Sequence, residues 1–143
     1  FSEDCLYLNV YTPPEGAQRP AGGWPVMHFI YGGDYSIGGA DDAQINGQHT
    51  VRALGDVIVV VPNYRQTIFG MLGGTEVAAL SRDGSTGTQG FLDQRAALAW
   101  THANVEAFGG DAARVTLFGA GAGAAGGHGA TSCLTASAPV VHQ

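Results

Sequence analysis

Lysine is absent from this chain. All six cations are arginines, set singly along 143 residues against twelve Asp and Glu, for a formal charge of −6 and a pI near 5.1. No basic stripe exists to follow a phosphate backbone, so nucleic-acid binding is excluded as the function. Long apolar runs are missing too. Val57-Ile58-Val59-Val60-Val61 is among the longest, far short of the ~20 residues that a helical membrane span needs. Cysteine is scarce: Cys5 and Cys133 permit one disulfide at most, and sequence alone leaves open whether they meet. Two free thiols are the plainer reading. No secretory leader is expected within these residues, and the first residue is Phe1 rather than Met, which suits a processed, trimmed or incompletely known N-terminus. No Asn-x-Ser/Thr sequon occurs to indicate a compartment.

Glycine, by contrast, is plentiful at 23 residues. It follows no fixed period, which indicates many turns rather than a fibrous repeat. The length suits one modest domain, not a large enzyme with a lid and a separate substrate domain.

Along the chain, strand and helix signals alternate. Cys5 to Tyr11 alternates in the manner of a strand and stops at Pro13-Pro14. Val26 to Tyr31 forms a second strand that breaks at Gly32-Gly33, and Asp34 to Thr50 is rich in Gly, Asp and Asn, as a long loop would be. Val51 to Leu54 gives a short helical turn. The β-branched run Val57 to Val61 suits a strand buried on both faces of a parallel sheet. From Gln66 to Gly90 the pattern predicts a loop with at most one short helix. The clearest helix spans about Leu92 to Phe108: Leu92, Ala96, Ala99, Ala103 and Ala107 recur every three or four residues, with Leu98, Val105 and Phe108 broadening the apolar face, and Gly109-Gly110 ends it. This order of elements predicts an α/β fold with a mostly parallel, doubly wound sheet and flanking helices.

The most informative segment is Val115 to Gly123, a strand that runs into a glycine turn and then an alanine-rich helix. That is the frame of a nucleophile elbow, in which a strained turn lifts a Ser hydroxyl clear of the sheet. Gly121 occupies the nucleophile's place.

These segments together resemble a family. Ser2 to Val10, Tyr31-Gly32-Gly33, Pro62-Asn63-Tyr64-Arg65, Gly90 to Leu98, Ala107 to Asp111 and Val115 to Gly119 are similar, in order, to the motifs of type-B carboxylesterases and cholinesterases. The resemblance implies a partial α/β-hydrolase fold, with residues 1–143 as the N-terminal part of such a domain, roughly its first third. It also implies an oxyanion hole of backbone N–H groups from Gly32, Gly33 and Ala122, and favours an extracellular or secretory location. Four departures fall on the chemistry. Gly121 replaces the family's Ser and Ala120 its Glu; Tyr31 stands for the His of an H-G-G-G oxyanion motif, with Asp34 where a third small residue is expected. A carboxylate at Asp34 facing the hole would repel an oxyanion about 4 Å away by roughly 4 kcal/mol at an effective dielectric of 20, about what one hole donor supplies.

No Asp or Glu follows Gly121, and the downstream His128 and His142 have no acid after the elbow to orient them, whereas hydrolases of this fold order their triad as Ser, acid, His. Thr131, Ser132 and Cys133 are candidate substitute nucleophiles, but nothing in the sequence provides a base for them. No catalytic residue, cofactor or metal is therefore expected. The resemblance to neuroligins, adhesion proteins whose elbow also lacks Ser, suggests a silent module. Its partners would be other proteins or the missing remainder of the domain, and the alternative is a carboxylic ester hydrolase whose sequence is incomplete or imperfect.

Other residues have plainer readings. Asp41, Asp42, Asn46 and His49 offer oxygen and nitrogen ligands, yet their spacing fits no calcium loop, so a solvated acidic loop is expected. His28 and Trp100 are expected in the core. Tyr31, Tyr35 and Tyr64 fit either a vestigial cleft or plain packing, and Glu3 and Arg65 are expected to form salt bridges.

Overall fold

The structure, a computed structural model, describes residues 2–82 and 84–126. Four strands form one sheet in the order β1-β3-β2-β4. β3 (Ile58–Pro62) is parallel to β2 (Trp24–Ile30), and β2 is parallel to β4 (Gly110–Gly119); only β1 (Leu8–Tyr11), paired with β3, runs antiparallel. The expected mostly parallel α/β sheet is present. β1 is shorter than Cys5–Tyr11, because pairing with β3 begins only at Leu8 opposite Pro62. β4 is longer than Val115–Gly119, since Gly110 already lies opposite Trp24 at the start of β2.

All of β3 is buried, as its β-branched run demands. Alternation sends its side chains to opposite faces. Val59 and Val61 pack with Val51 of α1 (Gln48–Leu54), while Ile58 and Val60 pack with Leu98 of α4 (Gln89–Asn104) and with Val105. Helices thus cover both faces. The chain passes from β2 through α1 to β3 on one side of β2, then through α4 to β4 on the other. Such a reversal opens a crevice at the carboxyl ends of the strands.

Two loop expectations need correction. α1 starts at Gln48, so it takes in the last residues of the segment read as loop, and a 3-10 turn, Ala43–Ile45, precedes it. Between Gln66 and Gly90 there are two short helices, α2 (Thr67–Met71) and α3 (Thr75–Leu80). Each is too short for a clear 3.6-residue pattern, which is why the sequence hid them.

The apolar face assigned to α4 is also corrected. Ala96, Ala99, Ala103 and Ala107 are exposed, and the buried stripe is Gly90, Asp93, Gln94, Leu98 and Thr101. Polar tethers decide which side faces the sheet. Asp93 receives two short bonds from the Arg65 guanidinium, both 2.7 Å, and a third from the Arg65 backbone N–H at 3.0 Å. Gly90 brings the helix close: a Cβ there would strike the Arg65 carbonyl. Trp100, expected in the core, is 37% exposed and packs on Phe108. The helix itself ends at Asn104, and its expected last turn is a 3-10 turn, Val105–Phe108, stopped by Gly109 at φ 84°.

His28 meets the core expectation. Fully buried on β2, it places Nδ1 3.0 Å from Thr101 Oγ1 on α4. Burial and the nearby His102 hold its pKa down at about 4.

The Arg65–Asp93 fork should carry much of the attachment of α4. Asp93→Ala removes three hydrogen bonds, two of them charge-assisted, and should lower unfolding free energy by about 2 kcal/mol. The Arg65 side chain is 38% exposed, which keeps this below the cost of breaking a fully buried pair. Urea denaturation should show a lower midpoint at an unchanged m-value.

Candidate functional site

The carboxyl ends of β2, β3 and β4 deliver three loops to one edge of the sheet: Tyr31 to Asp34, Asn63 to Gln66, and Ala120 to Ala122. β4 ends at Gly119, residues 122–126 are helical, and Gly121 turns the chain between them at φ 54°. This left-handed conformation favours glycine. A Cβ built on Gly121 meets nothing within 4 Å. The position is conformationally demanding and sterically open, which is the geometry expected for a side chain displayed above a sheet.

The other glycines here serve contact. A Cβ on Gly123 would collide with the carbonyls of Ile30 and Tyr31, and one on Gly119 would lie 2.6 Å from the Gly123 carbonyl carbon. The elbow therefore presses its backbone directly onto the end of β2. Gly32 completes the contact from the opposite side: its Cβ would lie 2.5 Å from the Ala120 oxygen and 3.6 Å from the Ala122 nitrogen. Among the described residues, the N–H groups of Gly32, Gly33 and Ala122 make no hydrogen bond, while Gly123 N–H donates to Ala120 O at 2.9 Å. Tertiary structure brings Gly32 beside Ala122, with Gly33 next along the chain.

The backbone after β2 is strained. Gly33, Asp34 and Tyr35 all have positive φ, at 113°, 55° and 56°. Asp34 stands where glycine would be natural, and Asp is among the few residues that tolerate this region. Tyr35 is held there by the Thr67 N–H, which donates to its carbonyl at 2.8 Å, and by edge-on packing against Phe91 at 5.6 Å. Thr67 itself has φ 55°, a genuine outlier for a β-branched residue. The Asp34 side chain is exposed to solvent. Water screens a charge there, so the full 4 kcal/mol repulsion expected from an inward carboxylate does not apply.

Tyr31 and Tyr64 are each 3% exposed and stacked at 4.8 Å. Tyr64 O–H donates to the Tyr31 carbonyl at 2.8 Å, so it anchors the residue that leads into Gly32. Packing, rather than a cleft lining, accounts for both. Burial raises both phenol pKa values, Tyr64 to about 12, with Tyr31 adding to the rise at Tyr64. Neither serves as a base near neutral pH. Asn63 Oδ1 accepts from Ala40 N–H at 2.7 Å and ties the long loop after β2 to the same edge.

Arg65 pairs with Asp93 and not with Glu3, which is exposed and has no ion pair among the described residues. Sequence reasoning named Arg65 but missed its partner, although Asp93 lies within the Gly90 to Leu98 motif. Asp42 Oδ1 accepts from Gln44 N–H and Asn46 Oδ1 from Gln48 N–H, so these side chains cap the local turns. Asp41 and His49 are exposed beside them. Cys5 is half-buried and has no disulfide partner among the described residues; His128, Thr131, Ser132, Cys133 and His142 lie outside the described residues. A groove of about 610 Å³ runs between Leu6, Leu8 and Val10 on one side and Ala96, Ala97 and Trp100 of α4 on the other, with Asn63 in its wall.

With the elbow and its neighbouring loops in place, the comparisons have a structural context. The model of the Carboxylesterase family matches residues 1–143. This chain belongs to the carboxylesterase family. It is 42% identical over 123 residues to a fumonisin B1 esterase of Sphingopyxis macrogoltabida, covering 86% of the chain and 22% of that protein. It is 43% identical over 125 residues to acetylcholinesterase 1 of Caenorhabditis elegans, covering 87% and 19%. The crystal structure of a Geobacillus stearothermophilus carboxylesterase superposes with a TM-score of 0.75 at 38% identity, covering 87% of the chain and 25% of that protein. A thermophilic pNB esterase gives 0.72 at 40%, covering 85% and 23%. These structures share the α/β-hydrolase fold, and the matched part of the chain spans about a fifth to a quarter of its relatives' length.

The two elbow glycines should respond differently to one added methyl. Gly121→Ala meets open space and bears only the left-handed strain, about 1 kcal/mol, or about 3 °C in a domain of this size. Gly123→Ala forces a Cβ into two carbonyls and should cost roughly 3 kcal/mol. Thermal melts of both variants beside the parent chain check the order, and equal losses would contradict the close approach of the elbow to β2.

Proposed function

We propose that this chain is a carboxylesterase-family module that does not hydrolyse esters and acts instead in binding, adhesion or architecture, as part of a larger chain or assembly. One observation carries the reading. Gly121 occupies the point of the elbow from which a nucleophilic hydroxyl would project, and hydrogen is all that it offers. Without a nucleophile there is no acyl-enzyme, whatever donors surround the site. The buried phenols of Tyr31 and Tyr64 are no substitute, since both are held protonated.

The surface supports a role in association. Ile37, Ile68, Phe69, Leu72 and Leu80 are all more than half exposed, and among the described residues β4 pairs on one edge only. Exposed apolar side chains and an open strand edge are features that proteins ordinarily cover. Protein partners, or further chain of the same domain, are the proposed cover.

The alternative is an active carboxylic ester hydrolase. It draws on the esterase names of the relatives and on the unpaired N–H groups of Gly32, Gly33 and Ala122, which suit stabilisation of an oxyanion.

Hydrolysis of p-nitrophenyl acetate separates the two. The expected rate is buffer background; turnover at ordinary enzymatic rates, abolished by an organophosphate, would favour the hydrolase. Gly121→Ser sharpens the test. The added side chain fits sterically and should cost about 1 kcal/mol of stability for its positive φ, yet no rate should appear, because a Ser without a base stays protonated and weakly nucleophilic. A large gain in rate would mean that a working His and acid lie within reach, and the silent-module reading would fall.

A further inference from the structure

His28 is used by nothing above, and its surroundings are unusual. Thr101 Oγ1 donates its single proton to the Ala97 carbonyl at 3.0 Å, the back-bond common to Thr within helices. The same oxygen lies 3.0 Å from His28 Nδ1. With its proton committed, the hydroxyl can only accept, so Nδ1 must carry the ring hydrogen. The other nitrogen, Nε2, is then an acceptor, and it is buried with no partner among the described residues.

β3 places Val60 beside His28 and β4 places Leu117, both apolar. α4 contributes Thr101 and, one residue on, His102, the one titratable group that acts on the ring among the described residues. No carboxylate is there to receive a second proton. A proton taken up at Nε2 would create a buried cation whose new N–H has no acceptor, with His102 as a second potential positive charge. Burying an unpaired charge costs far more than one neutral hydrogen bond returns.

We propose that His28 and Thr101 form an acid-released latch, which ties β2 to α4 while the ring is neutral; a proton on Nε2 leaves the Nδ1–H bond to Thr101 in place but creates an unpaired buried cation, and the latch opens because the ring must leave its site to hydrate that charge. Its location gives the release a consequence. His28 lies three residues before Tyr31, whose carbonyl and following glycines form the seat of the elbow. Loosening α4 from β2 therefore loosens the edge of the sheet that carries the site. The linkage has a definite sign. A ring that resists protonation in the folded chain, but takes a proton near pH 6.5 when unfolded, gives stability that is complete above pH 6.5 and lost as pH falls toward 4.

The test is urea denaturation of the full chain from pH 7.5 to 4, with His28→Val beside the parent. His28→Val puts a strand-favouring β-branched side chain in place of the ring and leaves the Thr101–Ala97 bond intact. Between pH 6 and 4 the unfolding constant of the parent should rise more steeply than that of the variant, by up to about tenfold per pH unit, the limit for one linked proton. Parallel slopes would overturn the proposal. Should His28→Val fail to fold, ¹⁵N NMR of the parent decides. The His28 ring should hold its proton on Nδ1 at pH 7 and stay neutral in the native state through pH 5.5. A proton on Nε2, or native-state titration near pH 6.5, would refute the latch.

Discussion

The close approach of the elbow backbone to the end of β2 is the constraint on which the site depends. Gly123 lies against the carbonyls of Ile30 and Tyr31, and Gly32 lies against Ala120. No side chain fits at either place. Because backbone meets backbone there, the free N–H of Ala122 comes beside Gly32, and the chain at Gly121 must turn in the left-handed region. A methyl group at Gly123 or Gly32 would separate the two loops before any chemistry could be considered. The geometry of a nucleophile elbow is thus maintained by glycines that surround the nucleophile position, independently of what occupies that position.

A second layer holds this edge from below. Tyr64 fastens the Tyr31 carbonyl, Asn63 fastens Ala40, and the Arg65–Asp93 fork fastens α4. All three anchors come from the segment directly after β3. One short stretch, Asn63 to Arg65, therefore locates the loop after β2 and the helix before β4 at once. The strain at Asp34, Tyr35 and Thr67 is tolerated because these contacts over-determine the loop.

α4 turns toward the sheet the face that bonds, not the face that is most apolar. Asp93 and Thr101 each have a specific partner on β2 or just beyond β3. Gln94 is buried, close to Gly126 of the elbow helix, and neither end of its amide has a partner among the described residues. The alanine stripe, with Trp100 and Phe108, remains on the outside.

Much of this was legible in the sequence. The β-branched run of β3 announced a strand buried on both faces, because only such a run can satisfy two apolar environments. Gly121 and the glycines near it announced a tight strand-to-helix turn, since no other residue adopts that backbone without strain. The motif order from Ser2 to Gly119 pointed to the family and the fold. The sequence could not orient α4: periodicity measures hydrophobicity, and here two hydrogen-bonded side chains outweighed four alanines. Nor could it pair Arg65 with Asp93 rather than Glu3, because charge partners are chosen by distance across the fold. α2 and α3 stayed hidden for want of length. What the sequence determined by itself was the strands, the turn and the missing hydroxyl, each a local property of backbone sterics and side-chain chemistry. Tertiary structure alone decided which backbone segments meet at the edge of the sheet, which face of α4 is buried, and that His28 meets a hydroxyl with no proton left to give, because those depend on residues brought together from distant parts of the chain.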